Sequence, residues 1–141
     1  MINDDLKLTG ALTIALNDEI VQKTKNLVVT AGKNWVASRM KDTTQDAMSH
    51  MAVGTGTTVA AAGNTTLVTE NDRNALTSTT VTGNAIAYVA TWAAGDGTAA
   101  LTEAGIFDAA SAGDMLCRTV FSVVNKGAAD SMTITWTITV S

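Results

Sequence analysis

The sequence predicts an all-β fold, a sandwich or barrel of antiparallel strands with one short helix near residues 31–41. Three observations predict it. Long segments at both ends alternate apolar and polar residues with a period of two, the signature of half-buried strands. Between them, glycine- and asparagine-rich turn signals recur at intervals of roughly ten residues, the spacing of a sandwich or barrel. Finally, apolar bulk is replaced by alanine and threonine, about two dozen of each, with 4% aromatics and no proline. At 141 residues the chain is read as a single domain, 1–141, large enough to bury about two-thirds of its surface without metal or disulfide staples.

The elements follow in order. From Leu6 to Leu16 the set Leu6, Leu8, Leu12, Ile14, Leu16 falls on alternate positions, with Gly10 in the one gap and Lys7, Thr9 and Thr13 pointing the other way. Asn17-Asp18 is the turn, and Glu19–Lys25 returns as a hairpin partner. The helix starts near Thr30, a residue suited to N-capping, and runs Ala31 to Lys41 with Trp35, Val36, Arg39 and Met40 on one stripe. Gly54 to Asn64 is small and polar and reads as a loop. Thr82-Gly83-Asn84 separates strand Ala75–Val81 from Ala85–Trp92, and Gly95-Asp96-Gly97 separates that from Ala100–Phe107. Ser111–Asp114 precedes Met115–Val124, and Asn125-Lys126-Gly127 with Asp130 leads into the last strand. There Met132, Ile134, Trp136, Ile138 and Val140 alternate with Thr133, Thr135, Thr137 and Thr139, one face core and the other a threonine ladder.

Charge and composition exclude several function classes. With 13 acidic against nine basic residues, net charge −4, there is no electrostatic footprint for a phosphate backbone. Lys23, Lys25, Lys33, Arg39 and Lys41 make the first third locally basic, but no aromatic stacking platform accompanies them, so they are read as a solvated face and no nucleic acid is expected. No stretch is long and apolar enough for a membrane span, so no membrane is expected either. Met1-Ile2-Asn3-Asp4-Asp5 is acidic where a signal peptide starts basic, which predicts synthesis in a cytoplasm without general export.

Residues that could carry chemistry are few. His50 is the only histidine and Cys117 the only cysteine. A Cys117–His50 pair would be needed for thiol catalysis, but Cys117 sits in an alternating strand, where a buried, inert thiol is the simpler reading. Zinc needs three or four such ligands. Ser111 lacks the first glycine of a nucleophile elbow, and Gly54-Thr-Gly56 has no following Gly-Lys-Ser/Thr for a phosphate loop. Glu70, Asp72 and Glu103 could in principle form paired acids. With so few aromatics to line a sugar cleft and no calcium-loop spacing, Glu70, Asp72 and Arg73 are read as ion-pair or turn residues. Asn64-Thr65-Thr66 is a formal glycosylation sequon without meaning in an unexported chain. No catalytic, cofactor-binding or metal-ligating residue is assigned, no cofactor is expected, and the chain is read as not an enzyme.

A resemblance carries the reading further. Leu101-Thr-Glu-Ala-Gly-Ile-Phe107, Met115-Leu-Cys-Arg-Thr-Val-Phe121, Asn125-Lys-Gly127 and Ser131–Val140, with Asn26-Leu-Val-Val-Thr-Ala-Gly32 and Met51-Ala-Val-Gly-Thr-Gly56 upstream, follow one another in an order that resembles the capsid cement (decoration) proteins of tailed bacteriophages, of the Bordetella podophage type. These segments cover most of the chain from Asn26 onward. The resemblance implies a jelly-roll-like β-sandwich on the outer surface of the phage head, tying major capsid protein subunits together, with no catalytic residues. It implies a virion location and a homo-oligomer, a dimer favoured over a trimer because a two-fold is the commonest way to bridge equivalent sites. Met1–Asp5, as an N-terminal arm, and the Gly54–Asn64 loop are the expected contact arms. Similar segments occur in tail and fibre proteins, so a tail, baseplate or tail-fibre attachment module is the alternative.

Overall fold

The computed structural model describes residues 5–141. Ten strands and one helix follow one another as β1 (Leu8–Leu16), β2 (Glu19–Lys25), β3 (Leu27–Val28), α1 (Thr30–Lys41), β4 (His50–Gly54), β5 (Glu70–Ala75), β6 (Ser78–Thr82), β7 (Ala85–Trp92), β8 (Ala99–Phe107), β9 (Met115–Lys126) and β10 (Met132–Val140). They form two five-stranded sheets, a front sheet ordered β2-β1-β10-β7-β6 and a back sheet ordered β3-β9-β8-β4-β5. All pairings are antiparallel. Pairing is nested in jelly-roll fashion: β1 with β10, β3 with β9, β4 with β8, β6 with β7. The second and third of these pairs lie side by side in the back sheet rather than alternating between sheets.

Alternation decides which side of each strand is core. Leu12 and Ile14 of β1, Tyr88, Ala90 and Trp92 of β7, and Met132, Ile134, Trp136 and Ile138 of β10 face inward. They meet Met51, Val53, Leu101, Ala104, Ile106, Cys117, Phe121 and Val124 of the back sheet. Trp92 and Trp136 are wholly buried; at about 25 cal/mol per Å² over some 150–250 Å², each contributes about 4–6 kcal/mol of transfer free energy. The gap at Gly10 has a structural reason. Gly10 lies opposite Ile138, and the space where its side chain would stand holds Asn26. The Asn26 side-chain oxygen accepts a 2.7 Å hydrogen bond from the Trp136 indole N–H, which satisfies the one polar atom of that ring.

Asn17 and Asp18 both take positive φ (51° and 66°), as a two-residue hairpin turn of the right hand requires. Several expectations are corrected. The helix is not capped by Thr30: Val29 occupies the cap position without a side-chain bond. The Val29 and Thr30 amides donate instead to the carbonyls of Leu116 and Ala62. The stripe is also displaced. The helix docks through Gly32, whose missing side chain lets it approach the Leu116 backbone; Trp35 and Val36 only flank the core, and Met40 is 79% exposed. Ala75–Val81 is not one strand, since Ala75 ends β5 in the back sheet and the chain crosses at Leu76-Thr77 to start β6 in the front sheet. Asn125 and Lys126 are no turn; they pair with Ala100 and Ala99 and extend β9.

Candidate interaction surface

The chemistry-bearing residues are distributed rather than convergent. His50 lies on the face of the back sheet that carries Ala52, whereas Cys117 points into the inter-sheet core beside Tyr88. The two strands are separated by β8, so the residues stand on opposite faces about 10 Å apart at ordinary strand spacing. His50 Nδ1 is hydrogen-bonded to its neighbour Ser49 at 2.8 Å. Burial pushes the Cys117 thiol well above its usual value, and the Tyr88 hydroxyl is likewise pushed up to about 12 by burial. Among the described residues, no three His, Cys, Asp or Glu side chains converge on a metal-sized site.

Glu70 and Glu103 are each held by an arginine, whereas Asp72 keeps a buried oxygen without a hydrogen-bond partner. Glu70 and Arg73 form an ion pair at 2.7 Å. Arg73 lies over the Phe107 ring at 3.7 Å and donates to the carbonyls of Ala109 (3.0 Å) and Ala112 (2.9 Å), so it ties β5 to the loop before β9. Asp72 does not join that pair. It faces Asp96 and the Trp92 indole, and burial, then the Asp96 carboxyl, raise its pKa. Glu70 and Glu103 flank Gly54 from the two strands beside it, and each is bound by an arginine, Glu70 by Arg73 and Glu103 by Arg118.

Glu103, a candidate acid in the sequence, has a partner that the sequence reading did not single out, Arg118. They are diagonal neighbours on β8 and β9, on the outer side of the back sheet, and form a wholly buried ion pair 2.8 Å apart. Glu103 also accepts from the amides of Gly56 (3.0 Å), Val68 (3.0 Å) and Thr69 (2.7 Å). Arg118 reaches the Thr58 carbonyl (2.9 Å) and the Asn64 side chain (3.1 Å). Burial alone would raise the Glu103 pKa, but these amides and the guanidinium outweigh it and hold the carboxyl below its usual value. Together they strap the loop after β4 onto the sheet, and beneath the strap Val29, Ala52, Leu67, Phe107 and Met115 form a second apolar cluster. The Gly54–Asn64 loop is therefore a tied-down cover. Met1–Asp4, most of the expected N-terminal arm, lie outside the described residues.

With the back sheet covered, the front sheet is the broad open face. Its outward positions read Thr9, Ala11, Thr13 and Ala15 on β1, Thr133, Thr135, Thr137 and Thr139 on β10, and Ala85, Ala87, Val89 and Thr91 on β7. Ser78, Thr80 and Thr82 continue the face on β6, and Lys23 and Lys25 border it on β2. No charged side chain interrupts β1, β10, β7 or β6 between Thr9 and that border. Five strands of five to nine residues, at about 4.8 Å spacing, make a plate about 19 Å by 25 Å. Such a plate is uncharged and poor in rotamer entropy, because Ala has none to lose and Thr little; an open hollow of about 400 Å³ lies on it among Thr9, Ala11, Lys25, Thr137 and Thr139. A second exposed feature is a groove of about 680 Å³ between α1 and the start of β1, floored by Leu6, Val36 and Met40.

Comparison with protein-family models, curated proteins and solved structures returned no match for this chain.

Proposed function

We propose that this chain is a non-enzymatic virion structural protein, a capsid cement (decoration) protein that binds the outer surface of a tailed-phage head and ties neighbouring major capsid protein subunits together. The observation that carries the reading is the asymmetry of the sandwich. The back sheet is closed by its own strapped loop, whereas the front sheet leaves a wide threonine–alanine plate open. The order of segments that resembles phage cement proteins supports it. In this reading the plate meets the capsid protein, copies of the chain associate with one another, and the chain is made in the host bacterial cytoplasm before it joins the head.

The energetics suit such a role. A plate of about 500 Å² falls below the roughly 800 Å² per partner of a standard stable interface, so one contact is weak. Repetition over a symmetric shell supplies the avidity. A protein that binds only the assembled shell stabilises it by mass action without any chemistry. Purified particles, analysed by quantitative mass spectrometry and cryo-electron microscopy, test the proposal. Hundreds of copies over the shell are expected. A few copies confined to a vertex, baseplate or fibre would overturn it in favour of a tail module.

A further inference from the structure

Four strand edges end the two sheets, and they are not alike. An unpaired edge is a template for another strand, and natural sheets guard it with charge, proline, a bulge or shortness. At one end of the front sheet, β2 carries Glu19, Lys23 and Lys25, and a bulge interrupts its pairing opposite Ile14/Ala15. In the back sheet, β3 is only two residues long. At its other end, β5 carries Glu70, Asp72 and Arg73 and is bulged opposite Val53/Gly54. The fourth edge, β6, has none of these guards. Its sequence Ser78-Thr79-Thr80-Val81-Thr82 has no charge and no proline. Its register against β7 runs without a bulge from Ser78↔Val89 to Thr82↔Ala85. All five residues are exposed, including Val81 at 69%.

We propose that β6 is a self-association edge, which pairs antiparallel with β6 of a second copy about a two-fold axis at Thr80 and joins the two front sheets into one ten-stranded sheet. The occupant is a second copy because the strand complements itself. About Thr80, Ser78 falls opposite Thr82 and Thr79 opposite Val81, so small β-branched or hydroxyl residues meet their like throughout. The faces also agree. Ser78, Thr80 and Thr82 share the outward side with Val89, Ala87 and Ala85, while Thr79 and Val81 share the inward side with Tyr88 and Ile86. A two-fold perpendicular to the sheet keeps each set on its own side, and it brings the exposed Val81 against Thr79 of the other copy. An uncharged edge brings no like charges together at the axis, which the charged edges β2 and β5 would do. The inference gives a surface to the self-association put forward above and rests on that part of the reading, but not on attachment to a capsid.

The test uses the free chain in solution. Sedimentation velocity over a concentration series is expected to show a monomer–dimer equilibrium. Thr80→Lys sets two ammonium groups face to face at the axis and is expected to weaken the dimer at least about tenfold in Kd. Its far-UV circular dichroism and melting should stay those of the wild type, since position 80 is exposed. As a second readout, Thr80→Cys is expected to give a covalent dimer under mild oxidation, the buried Cys117 taking no part, whereas Ser78→Cys, whose opposite residue is Thr82, is not. A wild-type chain that stays monomeric throughout would overturn both the edge and the self-association. A dimer or trimer indifferent to Thr80→Lys, with no Thr80→Cys cross-link, would overturn the edge alone and leave self-association to another face.

Discussion

Removing the Glu103 carboxylate is the sharpest perturbation this fold offers. Glu103→Ala deprives the amides of Gly56, Val68 and Thr69 of their acceptor and leaves Arg118 charged and buried. Five hydrogen bonds end on that carboxylate, two of them from Arg118. Counting each at about 1.5–3 kcal/mol would give about 7–15 kcal/mol, the entire stability of an ordinary domain. That sum overshoots, because a lifted strap regains water at each amide. The applicable bound is the loss of one partner from a buried pair, about 3–5 kcal/mol. In urea, with a slope of about 2 kcal/mol per molar, the unfolding midpoint should fall by about 2 M. Arg118→Met should cost less, since Glu103 keeps three amide donors while an abandoned Arg118 keeps only Thr58 and Asn64. Equal losses, the reverse order, or a Glu103→Ala loss under about 1 kcal/mol would refute the strap as an energetic unit. The sign of the pH dependence is fixed by the same contacts. The folded pKa of Glu103 lies below the model-peptide value of 4.5, so its contribution is present above that value and is lost as pH falls through the depressed one. Limited proteolysis across Thr55–Thr69 should therefore accelerate in acid and not in base.

Three further outcomes follow from the packing. Gly10→Ala places a methyl group on the Asn26 side chain and so breaks its bond to Trp136; a loss of about 2–3 kcal/mol and a changed tryptophan emission are expected, and an unchanged melt would refute the fit. Asp72→Asn removes a carboxylate whose pKa burial and Asp96 raise; a raised folded pKa means stability falls as pH rises through it, so this variant should gain a few tenths to about 1 kcal/mol at neutral pH after solvent screening and nothing in acid. Cys117, wholly buried with its thiol pKa pushed up by that burial, should react with a thiol reagent only at the rate of unfolding, which labelling in rising urea measures; fast labelling in native buffer would contradict the core assignment.

Strands that bury one face were legible in the sequence, because burial imposes alternation. The hairpin Leu8–Lys25, β7, and β10 with its threonine ladder are read directly from it. The loss of alternation explains the rest. β5, Glu-Asn-Asp-Arg-Asn-Ala, is a polar edge strand whose side chains bind loops and turns rather than a core, so nothing marks it as a strand. Lys126 ends β9 because its stem is buried and its ammonium donates to the Ala93 carbonyl at 3.0 Å; only the tertiary partner reveals that. The Glu103–Arg118 pair did leave a trace, one charged residue inside each of two apolar strands, Leu101–Phe107 and Met115–Phe121. A bulge between Leu101 and Glu103 sets their register, and bulges are not written in periodicity. The open plate was half visible as the Thr133–Thr139 ladder, but that the opposite face is closed depends on a strap known only from the fold.

The nested pairing of the first strand with the last gives the molecule a mechanical direction. Lys7 and Ser141 exchange backbone hydrogen bonds of 2.7 and 2.9 Å at the outer end of β1 and β10, with Leu8 opposite Val140 directly inside. Tension that drew Lys7 and Ser141 apart would peel this ladder one bond after another, each rung failing alone. Tension applied along the strands, entering through the plate and leaving through β6, would instead load all the rungs of β1, β10 and β7 together in shear. The same set of bonds is thus weak in one direction and strong in the other, and the strong direction lies in the plane of the front sheet.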